Sequence, residues 1–261
     1  MAPLPWAVVA LLHAILAELD DLLEPGAYPD HCPNGLQVEG RAEVTRIVTG
    51  VSASVELFER AIEAGADLVL THHGLFWDGD DPRVVGPLRE RLKPLIAADV
   101  SLAAYHLPLD GHPEVGNNAL IVTGIGAHST APLAPAGARN IGWVAEFEGD
   151  GIPVAALAER LGALTGRDVL CFSGGPERVR TVGVLSGRGG RAVHDAIAAG
   201  VDAFITGEAE EWSRALALES RIHFLAGGHH ATETFGVRAL GEHLAEHFGI
   251  EHRYVEIENP V

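Results

Sequence analysis

Five residues are of types that hold divalent metal ions: His72, His73, Asp110, His229 and Glu233. His72 and His73 close the apolar run AGADLVLTHHG, Asp110 ends YHLPLD, and His229 and Glu233 frame GGHHATE. Three imidazoles and two carboxylates make a hard-to-borderline donor set, suited to Zn, Mn, Fe or Co rather than to a thiolate site. Five ligands exceed what one catalytic ion with an open position needs, so two divalent metal ions per chain are expected. Neighbouring residues of a strand point to opposite faces, so His72 and His73 are expected to diverge at a strand end toward two ions. The alternative is a pair of surface histidines on a loop. His229 and Glu233, four apart at the start of a predicted helix, share one face. There the glutamate could bridge two ions, or simply complement the helix dipole.

Two more residues are candidates for moving protons. Pro108 lies between His106 and Asp110, so that segment is expected to be a loop, with Asp110 a ligand and His106 beside the metals as general acid or base. Glu208, in ITGEAEE, is placed to orient water or substrate, or else to sit as a carboxylate at a helix start. The GRGG turn (187–190) follows a strand and precedes a helix, where backbone N–H groups meet phosphates. It has neither the lysine of a P-loop nor the G-x-G-x-x-G fingerprint, and a tight turn is the plainer reading. His243 and His247, in HLAEH, flank Leu240, Leu244 and Phe248 and read as the polar edge of a helix. Cys32 has no base near it in sequence, and Trp77 and Trp212 suit packing at least as well as stacking on a planar ligand.

The elements that must position these residues come in two copies. RIVTGVSASVELFERAIEAGADLVLTHHG (46–74) and RTVGVLSGRGGRAVHDAIAAGVDAFITGEAEEW (180–212) each run strand, small-residue turn, amphipathic helix, A-G-x-D, and an apolar strand ending in Thr. Asp67 matches Asp202, Thr71 matches Thr206, and Gly65 and Gly200 stop the two helices. A second strand follows in each half, LAAYHLPLD and HFLAGGHHATE, which points to an internal duplication. The expected fold class is α/β: internally duplicated, interlocked α/β/α lobes with sheets covered by helices. The lobes are read as 1–125 and 180–261, joined by 126–179. Within the joining segment, residues 126–140 are predicted to be a loop, 141–147 a strand, 152–164 a helix and 168–172 a strand. A helix from Ala231 to His247 and a strand at 252–258 complete the reading. Ligands of such folds gather at the carboxyl ends of strands, where the candidate residues fall.

With 261 residues, 47% hydrophobic and 21% charged, the composition is globular, and no apolar run is long enough to span a membrane. The stretch LPWAVVALLHAILAELDDLL (4–23) has the apolar character of a signal peptide. No Lys or Arg precedes Arg41, however, and the acidic residues recur with helical spacing, so a cytoplasmic amphipathic helix is expected. A net charge of −18 disfavours nucleic acid as a partner. It leaves room for an anionic small-molecule substrate, because metal charge dominates a metal site. Two cysteines make no disulfide framework.

Taken together, NGLQVEG (34–40), LVLTHHGLFW (68–77), YHLPLD (105–110), VGNNAL (115–120), RNIGWV (139–144), ITGEAEE (205–211) and GGHHATETFG (227–236) resemble the Nif-three-like dinuclear metal-centre proteins. These are also called type-two homologues of GTP cyclohydrolase I. The resemblance covers nearly the whole chain. It implies the same five metal ligands, a homo-oligomer in the form of a ring-shaped hexamer, and metal-dependent hydrolysis of a nucleotide-like substrate. A non-catalytic metal-holding scaffold or regulatory partner is the other reading. The chain departs from the family pattern at Gly74, usually Pro, at Leu107-Pro108 in place of Thr-Asn, and at Arg188 in the glycine turn. None of these removes a ligand.

Overall fold

The structure is a computed structural model that describes residues 8–261. The chain forms two compact units, residues 1–106 with 237–258 and residues 107–236 with 259–261.

The first unit is built on a five-stranded sheet in the order Glu251–Tyr254, Arg46–Ser52, Leu68–His73, Ser101–Ala104, Gly35–Val38. All neighbours are parallel except the last pair. Alternate strand residues Val48, Val69 and Leu102 pack with Leu57, Phe58, Leu92 and Leu95 of the Val55–Glu63 and Gly86–Ala98 helices. Ile47, Leu68 and Leu70 are completely buried as well, as expected of strands covered on both faces. The N-terminal helix runs Leu12–Leu23 and buries Leu12, Ile15, Leu19 and Leu23, one stripe at helical spacing. It is shorter than the expected helix: Ala10–Leu11 is a strand paired with Glu43–Val44, and residues 4–7 lie outside the described residues.

The second unit holds a six-stranded mixed sheet in the order Leu170–Ser173, His223–Ala226, Ala203–Thr206, Thr181–Val184, Arg139–Glu146, His128–Ala136. Period-two alternation divides its strands between two cores. Ala203, Ile205 and Leu225 face Ile121, Leu157 and Leu161, whereas Phe204 and Phe224 face Val193, Ala196 and Ala217. Helices therefore cover both faces of this sheet. Two expected loops are corrected here. Residues 128–136 form a strand, and it lies at the edge of the sheet, the position in which prolines such as Pro132 and Pro135 are tolerated. Leu107–Gly111 is a short helix, because Pro108 falls in its first turn, where the missing N–H has no helical acceptor.

The duplication is visible bond for bond. Asp67 accepts from Thr45 N at 2.8 Å and Arg46 N at 3.2 Å. Asp202 accepts from Arg180 N at 2.8 Å and Thr181 N at 3.1 Å. Gly65 and Gly200, at φ 77° and 70°, end their helices with the same pair of turn hydrogen bonds. Each aspartate thus ties the start of one parallel strand to the next. Each also receives a threonine hydroxyl, Thr45 Oγ1 at 2.7 Å on Asp67 and Thr181 Oγ1 at 3.3 Å on Asp202, but Asp67 is the more buried and receives Arg41 Nη1 as well. Asp67→Ala is therefore expected to cost about 3 kcal/mol, and Asp202→Ala about 1 kcal/mol. Urea unfolding measures both, and equal losses would contradict the burial argument.

Candidate metal centre

Each unit carries its own group of donors. In the first, the apolar strand Leu68–His73 ends with His72 and His73, and the chain returns at His106 just beyond the neighbouring strand Ser101–Ala104. Donor atoms of the three imidazoles lie within 4.8 Å of one another. His72 is completely buried, and its ring centroid is 4.7 Å from that of His73. The two rings therefore lie side by side at the strand end.

The Nδ1 atom of every ring is held. His72 Nδ1 donates to the Tyr105 carbonyl at 3.1 Å. His106 Nδ1 donates to Asp30 at 2.7 Å, and the Asp30 side chain is only 3% exposed. His73 Nδ1 meets Ser52 Oγ at 2.9 Å. Donation from Nδ1 to a carbonyl or carboxylate places the ring's lone pair on Nε2, the arrangement in which imidazole binds metal. Asn34 holds the Asp30–His106 pair from behind: it accepts from His106 N at 2.8 Å and donates to Asp30 at 3.0 Å. Trp77 packs against the group, its ring 5.1 Å from His106 and 5.9 Å from His73. Gln37 occupies the space a side chain at residue 74 would need, and accepts from Leu75 N. That is a physical reason for Gly74.

In the second unit, Glu233 has both Asp110 and His229 close to its carboxylate. Asp110 and Glu233 are buried, with carboxylate oxygens within 4.8 Å of each other. Asp110 Oδ1 accepts from Asn117 Nδ2 at 2.9 Å and Ser186 Oγ at 3.1 Å. His229 Nδ1 donates to Glu208 at 2.5 Å, and His229 Nε2 lies 3.2 Å from Glu233 Oε2. Glu208 thus orients His229, the same service that Asp30 gives His106. The expected continuous helix is interrupted here: His229–Thr232 and Thr234–Phe248 are separate helices, with Glu233 at φ −113° between them. The break comes at the residue whose carboxylate closes on His229.

At the entry to the GRGG turn, Ser186 N donates to Asn118, and the first turn residue, Gly187, donates its N–H to Thr232, both internal partners. Gly187, at φ 59°, lets the chain pass so close to Glu233 that a Cβ would stand 1.9 Å from its Oε1.

Burial pushes the His229 pKa down, but the Glu233 and Glu208 carboxylates outweigh it and raise the pKa to about 9. Because the folded value exceeds the ordinary 6.5, the metal-free protein holds this stabilisation fully below pH 6.5 and loses it as pH rises through 9. The full amount is about 3 kcal/mol at most. Urea midpoints of wild type and His229→Gln between pH 6 and 9.5 are expected to converge with rising pH. A gap independent of pH would contradict the pairing.

The donor sets fit divalent metal. Three imidazoles converge in one unit, and two adjacent buried carboxylates in the other call for a cation. Asp30, Asn34, Ser52, Asn117 and Ser186 escaped sequence reasoning, because they act on partners 21–76 residues away or read as ordinary polar loop residues. The NGLQVEG and VGNNAL motifs were the only pointers, to Asn34 and Asn117.

The profile of the Duf34/NIF3 (NGG1p interacting factor 3) family matches residues 10–260. The chain belongs to this family. A Pseudomonas aeruginosa relative named GTP cyclohydrolase 1 type 2 homolog is 45% identical over 249 residues, covering 95% of this chain and 98% of the relative. Among solved structures, protein ybgI, described as of unknown function, superposes with a TM-score of 0.91 at 40% identity. That match covers 97% of this chain and 100% of the other. TTHA1606 from Thermus thermophilus superposes with a TM-score of 0.85 at 32% identity, covering 97% and 100%. Among the described residues of this family member, no helix is long and apolar enough to cross a membrane.

Proposed function

We propose that the two donor groups hold a pair of divalent ions, with His72, His73, Asp110, His229 and Glu233 as ligands. We further propose that the chain is a metal-dependent hydrolase of a nucleotide-like substrate, with GTP the first to try. The observation that supports this reading is the Nδ1 donation of His72, His106 and His229 to a carbonyl or carboxylate, which leaves the lone pair of each ring on Nε2. Divalent ions, when bound, supply Lewis acidity, make water nucleophilic near neutral pH and offset the negative charge of a substrate.

The remaining roles belong to the chain. Asp30, buried and fixed by Asn34, keeps His106 in one tautomer with its lone pair on Nε2, so His106 takes a proton from water and returns it to the leaving group. Glu208 keeps His229 oriented. For GTP the reaction consumes two waters: the first adds at C8 of guanine, the second releases that carbon as formate.

The test is formate release from GTP by protein loaded with Mn, Zn or Fe(II). His106→Gln is expected to lower turnover by about 10²–10⁴-fold with metal content unchanged. Loss of metal alongside turnover would reassign His106 as a ligand, a role its place beside His72 and His73 also permits. Absence of formate from the loaded wild type would end the GTP reading.

A further inference from the structure

We propose a separate divalent-cation site in the first unit, made by Glu18, His243 and His247, which takes a borderline ion such as Zn(II), Co(II), Ni(II) or Cu(II). None of these residues contributes to the centre above. Glu18 lies on the Leu12–Leu23 helix, and the two histidines lie one turn apart on the Thr234–Phe248 helix. The three donor atoms lie within 4.8 Å of one another. Glu18 Oε1 is 2.7 Å from His243 Nε2 and 3.6 Å from His247 Nδ1. The imidazole centroids are 5.9 Å apart.

The polar-edge reading explains two solvated histidines on a helix. It gives no reason for a carboxylate from a different helix to stand between them, facing one nitrogen of each. Hydrogen bonding accounts for the His243 contact, but at 3.6 Å the His247 nitrogen is too far for a hydrogen bond. That separation suits a common ion better. Tetrahedral coordination at 2.0–2.1 Å separates ligand atoms by about 3.3 Å, so Glu18 must open from His243 by roughly half an ångström and close on His247 by less. Two imidazoles and one carboxylate leave a position for water. The side chains of all three are between a quarter and a half exposed, which gives an ion access and a modest affinity. A bound ion staples the N-terminal helix to the helix that carries the histidines.

Zinc bound by the full-length chain, measured by equilibrium dialysis, tests this. His243→Gln/His247→Gln is expected to bind one zinc fewer than wild type and to lose part of the zinc-induced rise in Tm. The same decrement is expected when Glu233→Gln is already present, which separates this site from the proposed dinuclear centre. Glu18→Gln keeps both imidazoles and is partly exposed, so the fold tolerates it. It is expected to weaken the zinc lost in the double variant at least tenfold. Equal zinc stoichiometry in wild type and the double variant, or unchanged affinity in Glu18→Gln, overturns the proposal.

Discussion

Glu233→Gln is expected to empty the centre and abolish turnover while leaving the fold standing. Glutamine has the shape of glutamate, so a side chain in a site only 3% exposed keeps its packing. What changes is charge: a neutral amide oxygen replaces an anionic ligand, and no second carboxylate remains beside Asp110 to balance a cation. Metal affinity is expected to fall at least a hundredfold, about 3 kcal/mol, with formate release falling to background. His229 supplies an independent reading. Its raised pKa depends on Glu233 first among its carboxylate partners and on Glu208 second, so in metal-free Glu233→Gln its titration moves down toward the ordinary range. NMR titration and metal analysis measure the two effects. Full metal content together with wild-type turnover would sink the assignment of Glu233.

Gly187→Ala is expected to damage both the stability of the second unit and its metal donors. Two costs coincide. The φ of 59° puts an alanine in the left-handed region, at about 1–2 kcal/mol. The new Cβ would also stand 1.9 Å from Glu233 Oε1 and 3.3 Å from His229 Nε2, so the carboxylate must leave its place. Loss of stability near 3 kcal/mol, a Tm drop of about 6–12 °C, is expected together with at least tenfold weaker metal binding. Gly200→Ala separates the two costs. Its φ is 70° and nothing lies within 4 Å of the added carbon, so it incurs backbone strain alone and metal binding stays at wild-type level. Equal effects of the two substitutions on metal would show that Gly187 serves only the turn.

Much of this was legible along the chain. The A-G-x-D repeats announced two strand–helix–strand units, and Asp67 and Asp202 make corresponding backbone bonds. The apolar run before His72 marked a buried strand, and its last residues are the imidazoles of the first donor group. What stayed hidden was hidden for physical reasons. The 128–136 strand carries turn-like residues because an edge strand satisfies only one ladder. The Leu107–Gly111 helix begins with a proline that reads as a breaker everywhere except in a first turn. The groups that fix the imidazoles are distant in sequence: Asp30 reaches His106 across 76 residues, and no local pattern reports such a pair. Glu208, read from sequence as orienting water or substrate or as a carboxylate at a helix start, touches His229, a contact that turns on side-chain direction.

The strand Glu251–Tyr254 completes the first sheet by pairing with Arg46–Ser52, about two hundred residues upstream. A ribosome adding 5–20 residues per second leaves roughly 10–40 s between the two. Throughout that interval the central apolar strands have one flank unsatisfied, a surface open to pairing with another nascent chain. The 107–236 unit is made within the same interval, so it can form before its predecessor is finished. The 107–236 segment is thus synthesised in full before the first unit is. The burden falls on whatever shields that open flank in the cell, and slow translation through the second half would lengthen the exposure.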